Sequence, residues 1–190
     1  SNKKLIYIST DFVFDGKKEG GYAEEDLPNP INWYGQTKYE GEKQVQSLSS
    51  DYIIARIAYP YRVNSERVDF ARGLIGKIKN SNFLPMITDH IMTPTFIDDI
   101  ANALDVLLEK NQTGIFHVVG SQSISPYDCA LLICDIFGFE KTKIGKTTRE
   151  EFFKGRASRG FNLYLKNDKI KRLGINMKTF EEGLKEIKNK

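Results

Sequence analysis

Three side chains in the first forty residues have the chemistry to place a proton on a carbonyl oxygen: the hydroxyl of Thr10, the phenol of Tyr34 and the ammonium of Lys38. Tyr34 and Lys38 are four apart, which sets them on one helical face and lets the cation lie near the phenol. An unperturbed phenol titrates near 10, and a nearby cation stabilises the phenolate, so the tyrosine becomes a usable acid. Thr10 can hydrogen-bond the same oxygen and hold the carbonyl in line. Spacing alone does not single out this pair, because Tyr39 and Lys43 repeat it. Context does: Tyr34 opens a helix, behind a turn-rich loop and a strand whose carboxyl end carries Thr10. In open α/β sheets ligands gather at the carboxyl ends of strands.

The elements that must position these groups follow from the pattern. Residues 5–8 are a short apolar β-prone run of the kind buried in a parallel sheet, stopping at Ser9-Thr10-Asp11. Residues 15–32 carry Asp15-Gly16, Gly20-Gly21, Pro28 and Pro30, which is loop chemistry. A helix is expected from 32 or 33 to 48 with Asn32 as its cap, and a second buried strand over 52–57. An amphipathic helix is expected over 68–79, a strand over 83–88 and a helix over 97–109. A third strong strand is expected over 114–119, then a helix from Ser125-Pro126 to Phe137. The remainder reads as an irregular basic loop, a short helix near 167–173 and a last helix over 179–188. Strands alternating with helices predict an α/β protein with a mainly parallel sheet.

Composition narrows the setting. The formal charge of +3, from 28 basic and 25 acidic residues, is too small and dispersed to argue for nucleic acid and suits an anionic small molecule. No window approaches the roughly eighteen apolar residues of a membrane span, so no membrane partner is expected. Cys129 and Cys134 form neither a disulfide framework nor a metal spacing, which points to a reducing cytoplasm. His90 and His117 have no nearby Cys or carboxylate at ligand spacing, so no metal site is expected, and His117 reads as a satisfied core histidine. Lys143, Lys146, Arg149, Lys154, Arg156 and Arg159 are either a solvated face or a clamp for a pyrophosphate, with Arg159 the preferred residue for its bidentate geometry.

These residues resemble the extended short-chain dehydrogenase/reductase family, and within it the dTDP-4-dehydrorhamnose reductases and their sugar-nucleotide relatives. The resemblance rests on residues 8–16 (ISTDFVFDG), on Tyr22 with Glu24 and Asp26, on Pro30 before Tyr34-Gly35-Gln36-Thr37-Lys38, and on Gly41-Glu42. Arg56, Thr93-Pro94-Thr95, Asp98-Asp99-Ile100-Ala101 and Gly114-Ile115-Phe116-His117 extend it over nearly the whole chain. It implies a partial Rossmann-like fold with a smaller C-terminal substrate-binding lobe: residues 1–62 as the catalytic strand and helix of an NAD(P)-binding domain, and 63–190 as a mixed substrate lobe whose strand near 114–119 returns to the main sheet. It implies NADP or NAD as cofactor and a nucleotide sugar as substrate, with Thr10, Tyr34 and Lys38 matching the catalytic Ser/Thr, Tyr and Lys. Ser9, Tyr34, Lys38 and Tyr59 would lie on the cofactor side, and Asp11, Val13, Phe14 and Arg159 on the substrate side. Epimerases and dehydratases share the triad; Asp11 followed by Phe12 supplies only half of a dehydratase acid/base pair, which favours reduction or epimerisation. A non-catalytic binding or regulatory subunit of the same fold is the reading from another class.

The chain departs from the family in having no Gly-rich phosphate-binding turn, in Arg62 where relatives have Gly, and in Arg159-Gly160 where they often have Arg-Pro. The Ser1-Asn2 start without Met reads as a protease scar before an internal segment, beginning near the fifth strand of the family's sheet. The strand over 5–8 would then be an unpaired edge. It is expected to pair with a second copy as a homodimer, to be masked by rearranged segments, or to promote aggregation.

Overall fold

The computed structural model describes residues 4–64, 66–155 and 160–189. Its strands are β1 (Leu5–Thr10), β2 (Tyr52–Ile57), β3 (Pro60–Tyr61), β4 (Leu84–Ile87), β5 (Thr95–Phe96), β6 (Gly114–His117) and β7 (Ile144–Thr147). The helices are α1 (Trp33–Leu48), α2 (Phe70–Asn80), α3 (Ile97–Glu109), α4 (Pro126–Phe137), α5 (Arg149–Phe152), α6 (Asp168–Arg172) and α7 (Phe180–Lys188). A 3-10 turn, Asp11–Val13, follows β1 directly.

The main sheet is parallel with order β1-β2-β6, and β3 pairs with β5 and β4 with β7, again in parallel. Register brings Ser9, Arg56 and His117 side by side across the three main strands. Because side chains alternate faces along a strand, residues opposite one another point the same way, and this row becomes one buried polar layer. Arg56 donates from Nε and Nη2 to the two oxygens of Glu42 on α1, at 2.9 and 2.7 Å, and the Ser9 hydroxyl donates to the same carboxylate. All four side chains are buried. The Arg56 guanidinium also lies over the Phe14 ring. Packed helices and strands thus share a fixed reference point immediately behind Thr10.

His117 completes this layer as a neutral imidazole. Its Nδ1 faces the Lys166 carbonyl at 3.1 Å, which can only accept, so Nδ1 carries the proton and Nε2 accepts from Arg56. Burial, with Arg56 beside it, holds its pKa down from 6.5 to about 3. An unfolded chain therefore takes up a proton below about pH 6.5 that the fold refuses until about pH 3. The stabilisation is complete above that window and is lost as the pH falls through it, by up to about 1.4 kcal/mol per pH unit. Urea unfolding at a series of pH values should show this slope, and His117→Gln should flatten it whatever its effect on absolute stability.

The two edges of the main sheet differ. On the outer side of β6, Glu24 accepts from the His117 amide and Lys169 donates to the Ile115 carbonyl, so neither group is orphaned. At the other edge β1 pairs only with β2 among the described residues, and Leu5 and Ile8 remain about 40% exposed. Among the described residues no rearranged segment masks this edge of β1.

Helix ends follow local chemistry. Asn32, Asp69, Ser125 and Thr179 cap α1, α2, α4 and α7 through their side-chain oxygens, and Gly138 ends α4 in the left-handed conformation. The third expected strand stops at His117, two residues early. Residues 144–152 were expected as irregular loop but form β7 and α5. Ile144-Gly145-Lys146-Thr147 offers one large apolar side chain and a glycine, a poor strand signal by itself. At Gly145 the largely exposed Phe83 ring lies where a Cβ would stand.

Candidate active site

Thr10 ends β1 and starts the 3-10 turn. Its oxygen accepts from the Phe12 amide at 3.3 Å, and its hydroxyl donates to Asp11 at 2.8 Å. Asn32 accepts from the Gly35 amide at 2.8 Å and thereby fixes the first turn of α1, where Tyr34 sits. A Cβ at Gly35 would meet the Phe12 carbonyl oxygen at 2.1 Å, so only glycine lets the start of α1 approach the turn this closely. Phe12 then meets the Tyr34 ring edge-on at 5.7 Å between centroids. One helical turn later the Lys38 ammonium donates to the Ile8 carbonyl at 2.6 Å and lies over the Tyr7 ring. A Cβ at Gly41 would collide with the Tyr7 hydroxyl, so this contact too depends on glycine.

The result is a cleft of about 340 Å³ at the carboxyl ends of β1 and β2, bordered by Thr10, Asp11, Phe12, Tyr34, Lys38 and Tyr59 together with Ile8, Ser9, Ile57 and Pro60. The Tyr34 ring is half exposed, and its hydroxyl makes no hydrogen bond among the described residues. The neighbouring phenol, Tyr7, donates to the Lys38 carbonyl, and burial with Glu42 and Tyr34 nearby raises its pKa. Of the two phenols beside Lys38, the one open to the cleft is therefore Tyr34.

The remaining expected site residues do not all offer their side chains to the cleft. Ser9 borders the cleft, but its hydroxyl is buried on Glu42 and serves the internal ion pair. Val13 and Phe14 face the core with Tyr22, Ala58 and Leu163, and Phe14 stacks on Tyr22 at 4.2 Å. The turn residue that faces the cleft instead is Phe12. Asp11 borders the cleft while buried against Thr10. Arg159 and Arg156 lie outside the described residues. Among the described residues no three His, Cys, Asp or Glu side chains cluster as a metal site would need, and no helix is long and apolar enough to cross a membrane.

A second cavity of about 560 Å³ opens on the other side of Tyr59, between α2 and β4, with Phe70, Leu74, Met86, His90, Phe152 and Phe153 among its walls. Its walls come from segments far apart in the chain, so no local sequence pattern marks it.

A mainly parallel sheet covered by helices, with a cleft where its strands end, defines a Rossmann-like α/β protein. The chain belongs to the RmlD substrate binding domain family, whose match runs over residues 1–190. It is 36% identical over 140 residues to dTDP-4-dehydrorhamnose reductase of Aggregatibacter actinomycetemcomitans, covering 70% of this chain and 47% of that protein. It is 34% identical over 191 residues to methionine adenosyltransferase 2 subunit beta of Mus musculus, covering 96% of this chain and 56% of that protein. Among solved structures, dTDP-4-dehydrorhamnose reductase of Bacillus anthracis in complex with NADP superposes with a TM-score of 0.89 at 30% identity, over 98% of this chain and 65% of the other. The chain spans about half the length of the curated relatives it matches.

Proposed function

We propose that the full-length protein is an NAD(P)-dependent reductase of a 4-keto nucleotide sugar, and that this chain supplies its proton donor and much of its substrate site. The observation that carries this reading is that Thr10, Tyr34 and Lys38 border one cleft with the Tyr34 phenol open to it. The residues fit a nicotinamide nucleotide: an ammonium that would hold ribose hydroxyls stands on one wall, and a phenol with no hydrogen bond among the described residues borders the same space. When bound, that group supplies a hydride to the carbonyl carbon. Tyr34 gives its proton to the carbonyl oxygen, Thr10 hydrogen-bonds that oxygen and holds it in line, and Lys38 holds the cofactor ribose and favours the phenolate left behind. Hydride and proton together turn the ketone into an alcohol. The Thr10 hydroxyl donates to Asp11 in the structure, so it turns away from Asp11 to give its one proton to the ketone oxygen, and Arg159 is the side chain we assign to the substrate pyrophosphate.

The test is oxidation of NADPH or NADH by the full-length protein on addition of dTDP-4-dehydrorhamnose. Oxidation with either dinucleotide supports the reading; failure of both to bind would overturn it. The similarity to a methionine adenosyltransferase subunit over 96% of the chain favours one second reading, a binding subunit without turnover. Under it, dinucleotide binds but no ketone is reduced.

A further inference from the structure

Tyr59 is the wall common to both cavities, since it borders the cleft that holds Thr10, Tyr34 and Lys38 and also the cavity between α2 and β4. Its backbone has φ of 43°, one of two non-glycine residues in the left-handed region among the described residues. That conformation costs a bulky residue of order 1–3 kcal/mol and persists only where surrounding contacts enforce it. The contacts are specific. The Tyr59 carbonyl accepts from the Thr95 amide at 3.2 Å, its ring meets Phe70 edge-on at 5.3 Å, and its hydroxyl lies 3.0 Å from His90 Nε2.

His90 is itself held. It is 1% exposed, and its Nδ1 lies 2.9 Å from the Gly160 carbonyl. A carbonyl can only accept, so in the neutral ring Nδ1 carries the proton and Nε2 accepts from the Tyr59 hydroxyl. Gly160 is in turn pressed against Asp15 and Gly16, where a Cβ would come within 2.7 Å of the Asp15 carbonyl oxygen. A buried relay of contacts thus runs from the loop behind the 3-10 turn, through Gly160 and His90, to the Tyr59 ring.

We propose that His90 is a positioning residue that fixes Tyr59 as the partition between the two cavities, so that the sugar and nucleotide halves of one ligand are aligned across it. This rests on the nucleotide-sugar reading above. A ligand reaching from Tyr34 into the α2–β4 cavity must pass the Tyr59 ring, and a ring that swings loses the alignment without losing either cavity. Glutamine at position 90 can present one acceptor and one donor as the neutral imidazole does, whereas leucine can present neither.

The experiment is calorimetric titration of the full-length protein and its variants with dTDP-glucose and with dTDP alone, neither of which requires turnover. His90→Leu and Tyr59→Phe should each weaken dTDP-glucose by tenfold or more, on the order expected for an alignment contact, and dTDP alone by less than about threefold. The double variant should be no worse than either single one, because both act through the same contact. His90→Gln should recover most of the lost affinity. Equal losses for both ligands would overturn the proposal by making His90 only a wall of the second cavity, and so would additive effects or an unchanged affinity in folded His90→Leu. If the wild-type protein binds neither ligand, the nucleotide-sugar reading fails instead. The positioning claim is then read by NMR from the Tyr59 ring, which His90→Leu should release into faster motion and which would remain unchanged if His90 does not hold it.

Discussion

Arg56→Leu is expected to lower the unfolding free energy by about 3–5 kcal/mol, a large share of the roughly 5–15 kcal/mol that holds a domain together. The reason is what the substitution leaves behind. Glu42 and Arg56 are each 1% exposed, and both carboxylate oxygens are taken by the guanidinium, with Ser9 adding a third bond. Without the arginine the carboxylate stays buried with a hydroxyl as its remaining partner, or takes up a proton. Replacing both partners removes that penalty. The double variant Arg56→Leu with Glu42→Leu should therefore be more stable than Arg56→Leu alone, a sign that simple loss of packing would not produce. Urea unfolding of the three proteins reads the result, and an Arg56→Leu variant within about 1 kcal/mol of wild type would count against a structural ion pair.

The ion pair matters to the cleft because of where it sits. Glu42 lies one turn beyond Lys38 on α1, and Ser9 immediately precedes Thr10 on β1. The same carboxylate therefore ties together the helix and the strand that carry the three candidate groups. Lys38 donating to the Ile8 carbonyl and Gly35 resting against the Phe12 carbonyl do the same job nearer the surface. An enzyme that must bring a hydroxyl and a phenol to one oxygen needs this kind of rigid support, since misplacement by about 1 Å can cost a hundredfold in rate.

How far the sequence reveals this arrangement depends on how local each signal is. Helix α1 is legible because Asn32 caps it and Tyr34 and Lys38 share a face, all within a few residues. The strands β1 and β2 are legible as apolar runs that end in polar or turn residues. The orientation of Val13 and Phe14 is not, because a 3-10 turn begins straight after β1 and breaks the alternation by which a strand assigns its faces. Phe12 then points to the cleft and its two successors to the core. β7 is hidden for a different reason: its partner β4 lies some sixty residues earlier, and pairing rather than propensity makes it a strand. The Glu42–Arg56–His117 layer depends on the register of three strands and a helix, which no single segment encodes. His117 gives a readable hint, as a histidine inside an apolar strand that reads as a satisfied core residue.

Tyr34→Phe is expected to reduce ketone turnover by about 10²–10⁴-fold, the range supplied by a positioned general acid, while leaving the fold intact. The substitution deletes one oxygen from a side chain that is half exposed, and its hydroxyl has no hydrogen-bond partner among the described residues. The ring that packs edge-on against Phe12 is kept, so stability should remain within about 0.5 kcal/mol of wild type. Substrate affinity should change little, because the hydroxyl does most of its work when charge develops on the carbonyl oxygen. Tyr39 provides the internal control, since it repeats the four-residue spacing to a lysine and has Lys43 over its ring, yet packs against the core around Phe14 rather than bordering the cleft. Tyr39→Phe should retain nearly full turnover. Steady-state kinetics on the full-length protein separates the two, and a Tyr34→Phe enzyme as fast as wild type would remove this phenol from the reaction even if the cleft binds both dinucleotide and sugar.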